Sequence, residues 1–272
     1  MAVSTNSDFV DFIIPLRERM NFYDKTRSPT DQEKNDAADP ARSLPQGFID
    51  SMIIREAVYV QEQGVPLENE LDDEDALAFH WVAYASVPDK VRSDPSSPEM
   101  SPQGGRKDSG RRISTSTKMP IGTIRATPVP YPQQHPHPNG KYETAVHKNN
   151  EAYVRIGRLS VVKEFRKAGI AKLLVDTALG FISAHPYETF AYYDQAATSQ
   201  AGSGAQSVDF RGLVLVHSQT GVQKVWRKYG FETDESMGEW DEEGILHVGM
   251  WKRLDLSNAS KKNKIWLPGG PS

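Results

Sequence analysis

Cysteine is absent from all 272 residues. That removes disulfides, thiolate metal sites and cysteine nucleophiles, so any chemistry must rest on oxygen and nitrogen groups. Long hydrophobic runs are missing as well. The leading apolar segment, Phe9 to Leu16, is far too short to span a bilayer. Met1 to Ser7 lacks the charged and apolar regions of a signal peptide, so the expected location is the cytoplasm, with the nucleus left open, and no membrane partner is expected. Nor does one sign of charge dominate. A formal net charge of -4 gives no global drive toward nucleic acid, which is not an expected partner. What remains is ample: 38% hydrophobic residues over this length can bury a core as one large domain or two small ones.

Asp8 to Leu16 reads as an opening strand, and Arg17 to Leu44, polar and broken by Pro29 and Pro40, as a loop. Gln46 to Gln63 repeats apolar residues at helical spacing and stops at Gly64-Val65-Pro66. Leu77 to Ser86 and Pro120 to Thr127 read as strands, and so do Tyr153 to Val162, Phe210 to His217 and Leu246 to Leu254. Between the last three, Gly169 to Ala184 carries Ile170, Leu173, Leu174, Thr177, Ala178 and Phe181 on one helical face, and Gln219 to Tyr229 forms a shorter helix ended by Gly230. Two insertions, 87–118 and 128–150, are expected to be disordered, because their Ser, Pro, Gly and charged residues bury too little apolar surface to offset ordering entropy. The first holds kinase-like motifs at Ser97-Pro98, Ser101-Pro102 and Arg111-Arg112-Ile113-Ser114. The second holds His135 and His137, which fit either a metal pair or a solvated proline-rich loop, the latter favoured because spacing places no further ligand. Asp194 to Ser207 is an Ala, Gly, Ser and Gln tract read as a surface loop.

The turn Arg166-Lys167-Ala168-Gly169-Ile170-Ala171 lies between a predicted strand and a predicted helix. Free backbone amides at a helix N-terminus favour anions, Gly169 permits close approach, and Arg166 and Lys167 add positive charge, so a pyrophosphate would fit there. An ordinary helix start with a glycine cap explains the same six residues.

With Arg166, Gly169 and Ala171 in place, this turn resembles the first signature of the GNAT superfamily of acyltransferases, Arg/Gln-x-x-Gly-x-Gly/Ala. The run Gln219 to Phe231 resembles its second, Asn-x-x-Ala-x-x-Phe-Tyr-x-x-x-Gly-Phe, with Gln219 at the Asn position and Gly230-Phe231 at the end. Arg55 to Pro66, followed by Glu70, Asp72, Asp75 and His80, resembles the ElaA/YjcF-like branch of predicted acetyltransferases, and so do Gly122 to Arg125 and His217 to Gln219. The resemblance implies an α/β GNAT fold: a mixed, mostly antiparallel twisted sheet of six or seven strands flanked by helices, in one domain over residues 8–255 with a tail over 256–272. It also implies acetyl-CoA as acyl donor. Leu159 and Val161 would pair with the pantetheine arm, Arg166, Lys167, Ala168, Gly169, Ile170 and Ala171 would hold the pyrophosphate, and Gln219 would belong to the same site.

For catalysis, the tyrosine that many family members use to protonate the departing thiolate is replaced by Trp226, which has no comparably acidic proton. Tyr229 is a substitute or a packing residue. His217, at a predicted strand end, is a candidate general base or a hydrogen-bonded core histidine, and Glu164 is a further candidate or a solvated carboxylate. The acidic run from Glu68 to Asp75 puts Glu70 and Asp72 forward as substrate-side carboxylates for a cationic amine, with a solvated face or loop ordering as the alternative. The expected activity is acetyl transfer to a primary amine of a small molecule, by direct attack without a covalent intermediate. Protein lysine or N-terminal acetylation and a non-catalytic CoA-binding module remain open, as does a homodimer. No metal is expected.

Overall fold

Six stretches rich in apolar residues and two short polar ones become eight strands of one sheet in the computed structural model, which describes residues 9–32, 43–88, 116–133, 135–191, 209–257 and 259. They are β1 (Val10–Ile13), β2 (Phe79–Pro88), β3 (Ser116–Val129), β4 (Ala152–Val161), β5 (Phe210–Gln219), β6 (Glu232–Thr233), β7 (Glu239–Glu242) and β8 (Ile245–Arg253). The order is β1-β2-β3-β4-β5-β8-β6, with β7 also pairing β8. Every pair is antiparallel except β4 with β5, whose parallel pairing is connected through helix α3 (Ile170–Ala184). The mixed, mostly antiparallel sheet flanked by helices is the expected class of fold. Its count exceeds six or seven because β6 and β7 are short and polar, and so carry no apolar run to mark them.

Helix α3 covers one face of the sheet. Leu174, Val175, Ala178, Leu179 and Ile182 are buried against Val154, Ile156, Val214, Val216 and Met250, each Leu, Val and Ile side chain contributing about 1.5–3 kcal/mol of burial. The buried stripe is rotated from the expected one: Leu173 is exposed, and Val175 and Ile182 turn inward instead. On the opposite face, helix α1 (Gln46–Arg55) seats Phe48 and Met52 against Ile13, Val82 and Tyr84, and a short helix α2 (Leu67–Glu70) follows in the chain. The helical periodicity of Gln46 to Gln63 continues past Arg55 as a π-helix, Glu56–Glu62, and terminates at Gly64 with φ +79°.

Over the stretch 128–150, expected as a disordered insertion, the described residues after Val129 form no regular element. Pro128 and Val129 belong to β3, and His137 and His147 lie on a part of the sheet that no described helix covers. His137 and His147 are buried with Tyr153 and Trp251, ring centroids 5.0–5.9 Å apart, and Glu151 is held by Arg253 at 2.8 and 2.9 Å. Histidine rings supply the apolar area that a count of Leu, Ile and Val misses. His137 is therefore a packing residue rather than a solvated one, and no group of three or more His, Asp or Glu side chains among the described residues could hold a metal. The kinase-like motifs and the tract from Asp194 to Ser207 lie outside the described residues. No helix among those described is long and apolar enough to cross a membrane.

A buried charge network ties the acidic run to the sheet. Arg55, fully buried, donates to Glu70 Oε1 at 2.5 Å and to Asp75 at 2.7 and 3.0 Å, while Arg125 reaches Asp72 at 2.7 Å and Asp75 at 2.8 Å. Two flanking arginines hold the neighbouring carboxylates of Asp72 and Glu74. Desolvation acts against ionised Asp75, but Arg125 and Arg55 outweigh it and hold the carboxyl well below the usual carboxylate range. Removing one partner strands the others in a dry interior. Arg55→Ala is expected to lower unfolding free energy by about 3–5 kcal/mol, measured by urea denaturation. A loss under about 1 kcal/mol would show that the network is not what anchors this segment.

Candidate active site

The sheet opens where β4 parts from β5. Their pairing ends at Ile156↔Val216, and immediately beyond it β4 carries a bulge, with Arg158 and Leu159 standing where β3 has Ile124 alone. Arg158 takes φ +52° at that point, and a bulge bends its strand. From there β4 follows β3 while β5 follows β8 through His217↔Gly249 and Gln219↔His247. A cleft of about 670 Å³ fills the wedge, with Leu159, Ser160 and Val161 on one wall and His217 and Gln219 on the other. Val225 and Trp226 of helix α4 (Gln223–Arg227) close one side, and Ala171 of α3 another.

The predicted anion turn borders this cleft. Lys167 and Gly169 adopt left-handed backbone, φ +67° and +85°, and a side chain on Gly169 would meet nothing within 4 Å. Glycine is required there by conformation rather than by space. The first intrahelical bond of α3 runs from Leu173 N–H to Gly169 C=O at 3.0 Å, and no side chain caps the helix. The amides of Ile170, Ala171 and Lys172 are therefore left for an external acceptor at the positive end of a 15-residue helix. Of the residues expected at this end, Leu159, Val161, Arg166, Ala171 and Gln219 line the cleft. Lys167, Ala168 and Gly169 are exposed on the turn, and the Ile170 side chain packs against the core.

Three residues outside those expectations reach across the cleft from the π-helix and its end. Tyr59 Oη donates to Leu159 C=O at 3.1 Å, Glu62 receives Arg166 Nη2 at 2.7 and 2.9 Å, and Gln63 Oε1 receives Gln219 Nε2 at 3.1 Å. Arg166 also donates through Nε to Val161 C=O at 3.0 Å. Their spacing is the helical period itself, so nothing distinguishes them in sequence from an amphipathic face.

His217 is mostly buried in the cleft wall, its Nδ1 3.3 Å from Glu242 Oε1. Burial outweighs the hydrogen bond to Glu242 and holds the imidazole down to about 4, so it is neutral at pH 7. Glu242 titrates at about 2: desolvation raises it, and the contact with His217 more than compensates. Nε2 of His217 is buried without a hydrogen-bond partner among the described residues.

The other expected site residues fall elsewhere. Glu164 is exposed on a 3-10 turn, Lys163–Phe165, and does not line the cleft. Tyr229 lies beside Lys172, Asp176 and Lys228 in a separate pocket, because α4 turns its Trp226 face to the cleft and carries Tyr229 away from it. Glu70 is buried against Arg55 and also does not line it. Asp72 does, but its carboxylate is already held by Arg125 and Arg158 at 2.7 and 3.0 Å. Glu70, Asp72, Glu74 and Asp75 are each matched by arginines, so the expected pair Glu70 and Asp72 is already engaged within the protein.

No protein-family model matches the chain, and no curated protein matches it. Among solved structures, it is similar to an acyl-CoA N-acyltransferase from Pseudomonas aeruginosa at 17% identity and a TM-score of 0.41, covering 89% of this chain and 99% of that one. It is similar to Escherichia coli ElaA at 15% identity and 0.38, covering 77% and 92%. It is similar to Arabidopsis thaliana NAA60 in complex with acetyl-CoA at 14% and 0.38, covering 75% and 93%.

Three buried histidines make the fold sensitive to mild acid. His80, His137 and His217 are each held down to about 4, chiefly by burial, against about 6.5 in an unfolded chain. The unfolded chain binds more protons between those values, so their stabilisation is complete above about 6.5 and is lost as pH falls toward 4. Denaturant unfolding at pH 4.5 is expected to give a stability lower than at pH 7 by about 2 kcal/mol or more. Equal stabilities would contradict the neutral state of these rings.

Proposed function

We propose that the chain is an acetyl-CoA-dependent N-acetyltransferase of the GNAT superfamily, acting on a primary amine of a small molecule. The observation that carries this reading is the junction of the β4–β5 wedge with the uncapped N-terminus of α3. An extended arm and a pyrophosphate need those two features side by side, the first offering strand edges and the second amides and a favourable dipole. The residues fit the group. Backbone at Leu159 and Val161 would run along the arm, and the turn Arg166 to Ala171 would hold the phosphates. Gln219 would face the arm from β5.

Acetyl-CoA would supply the acetyl group as a thioester, whose carbon–sulfur bond breaks as the amine's nitrogen–carbon bond forms. The chain's own part is to position an amine and take its proton. His217 is neutral at pH 7, so its lone pair is free to take a proton, while its burial makes it a weaker base than a free imidazole. Positioning in the closed wedge supplies the first. The acceptor end is walled by the Arg158–Asp72 pair on one side and by His217, Glu242 and His247 on the other, which suits a small polar amine.

One observation favours a second reading, a CoA-binding module without turnover. Trp226 lines the cleft where an acid would help the leaving group, and Tyr229 points to a different pocket. Free-thiol release from acetyl-CoA, assayed against amino sugars, polyamines, amino acids and lysine peptides, separates the two. The expected result is release that depends on one small-amine class and disappears in Gly169→Glu, whose carboxylate meets the pyrophosphate. CoA raising the melting temperature with no release from any acceptor would favour the module. The absence of any thermal shift would remove the cofactor itself.

A further inference from the structure

Resting on that reading of the cleft, we propose that Glu242 is the positioning residue for His217: its carboxylate fixes the imidazole proton on Nδ1 and leaves Nε2 as the proton acceptor. Glu242 ends β7 and is held there by a two-residue hairpin turn, Glu243 and Gly244, with φ +54° and +79°. Left-handed backbone at both positions matches the twist of paired strands, so the end of the hairpin is rigid. Its carboxylate is fixed further by Trp240, whose Nε1 donates to Oε1 at 2.6 Å. The Trp240 ring meets His217 edge to face at 4.9 Å and stacks on His247 at 6.4 Å, which confines the imidazole plane.

The proton's place follows from these contacts. A neutral imidazole 3.3 Å from a carboxylate must put its N–H on the near nitrogen, because the other tautomer sets a lone pair against an anion. Nε2 then carries the lone pair, and no described side chain occupies it. The charged and titratable groups around His217 come from four elements: Arg155 on β4, Glu242 on β7, His247 on β8 and His137 in the segment over 130–151. Arg155 opposes a positive imidazole and Glu242 favours it. His247 Nδ1 lies 2.8 Å from Ile245 C=O and its Nε2 4.0 Å from Glu242 Oε2, so it stands outside the direct contact.

In the transfer, the acceptor ammonium gives one proton to Nε2 and keeps the electron pair on nitrogen for attack on the thioester carbon. As the carbon–sulfur bond breaks, the sulfur leaves as a thiolate and the nitrogen loses its second proton, which a water carries to that thiolate. The imidazolium stays beside ionised Glu242 until Nε2 gives up its proton again. Glu242 is not protonated at any point, and it touches no reacting atom.

Two variants of the full chain test this. Imidazole nitrogen NMR, with His217→Gln used to assign the signal, reads the tautomer with no acceptor present. It is expected to show the Nδ1–H form in the wild type and in Glu242→Gln, whose amide oxygen still accepts, and a shift toward Nε2–H in Glu242→Ala. Acetyl transfer should fall on the order of 10-fold to 100-fold in Glu242→Ala. In Glu242→Gln the acid limb of the rate should move to lower pH, because the carboxylate no longer favours the imidazolium. Transfer with an unaltered rate and acid limb in both variants would overturn the role of Glu242 while leaving the acetyltransferase reading intact. A tautomer that switches as expected, with no amine acetylated by the wild type, would support the positioning and sink the acetyltransferase reading.

Discussion

Everything at the cleft depends on two strands being unable to stay together. Parallel pairing of β4 with β5 stops at Ile156↔Val216 because β4 carries one residue more than β3 across the bulge at Arg158 and Leu159. Each strand keeps its other neighbour, so the backbone groups facing the wedge lose their partners in the sheet. Such groups must find others, and part of the demand is met by side chains: Tyr59 bonds the Leu159 carbonyl and Arg166 that of Val161. The helix that follows β4 then begins without a side-chain cap, so a strand edge and a helix N-terminus with free amides lie side by side.

Charge in this region is managed in two ways. Arginines on the α1 side of the sheet match Glu70, Asp72, Glu74 and Asp75, which anchors the acidic segment. On the other wall, burial keeps His217 neutral while Glu242 stays ionised beside it. The first arrangement is about holding structure together. The second keeps a neutral imidazole beside an ionised carboxylate in the cleft wall.

Much of this was legible in the chain itself. The β-branched strand ending in Val161 and Val162, the glycine at 169 and the apolar period after it predict a strand, turn and helix in the right order. Other features could not be read, each for a physical reason. Glu70 and Asp72 look like available carboxylates until Arg55, Arg125 and Arg158, from three separate elements, are seen to converge on them. Glu242 belongs to a strand of sequence Glu-Trp-Asp-Glu whose only signal is its pairing with β8, and its contact with His217 depends on that register. His137 and His147 reside in a proline-rich stretch whose burial is set by an uncovered patch of sheet around Trp251, not by anything local.

The measurement that bears most directly on the cleft is backbone hydrogen exchange with and without acetyl-CoA, read peptide by peptide over the whole chain. Occupation of the wedge predicts slower exchange at residues 159–161 and 166–172, where free amides would gain acceptors, with little change at the distant β1–β2 edge. Binding that protects some other region and leaves residues 166–172 exchanging as before would contradict the placement of the acyl donor.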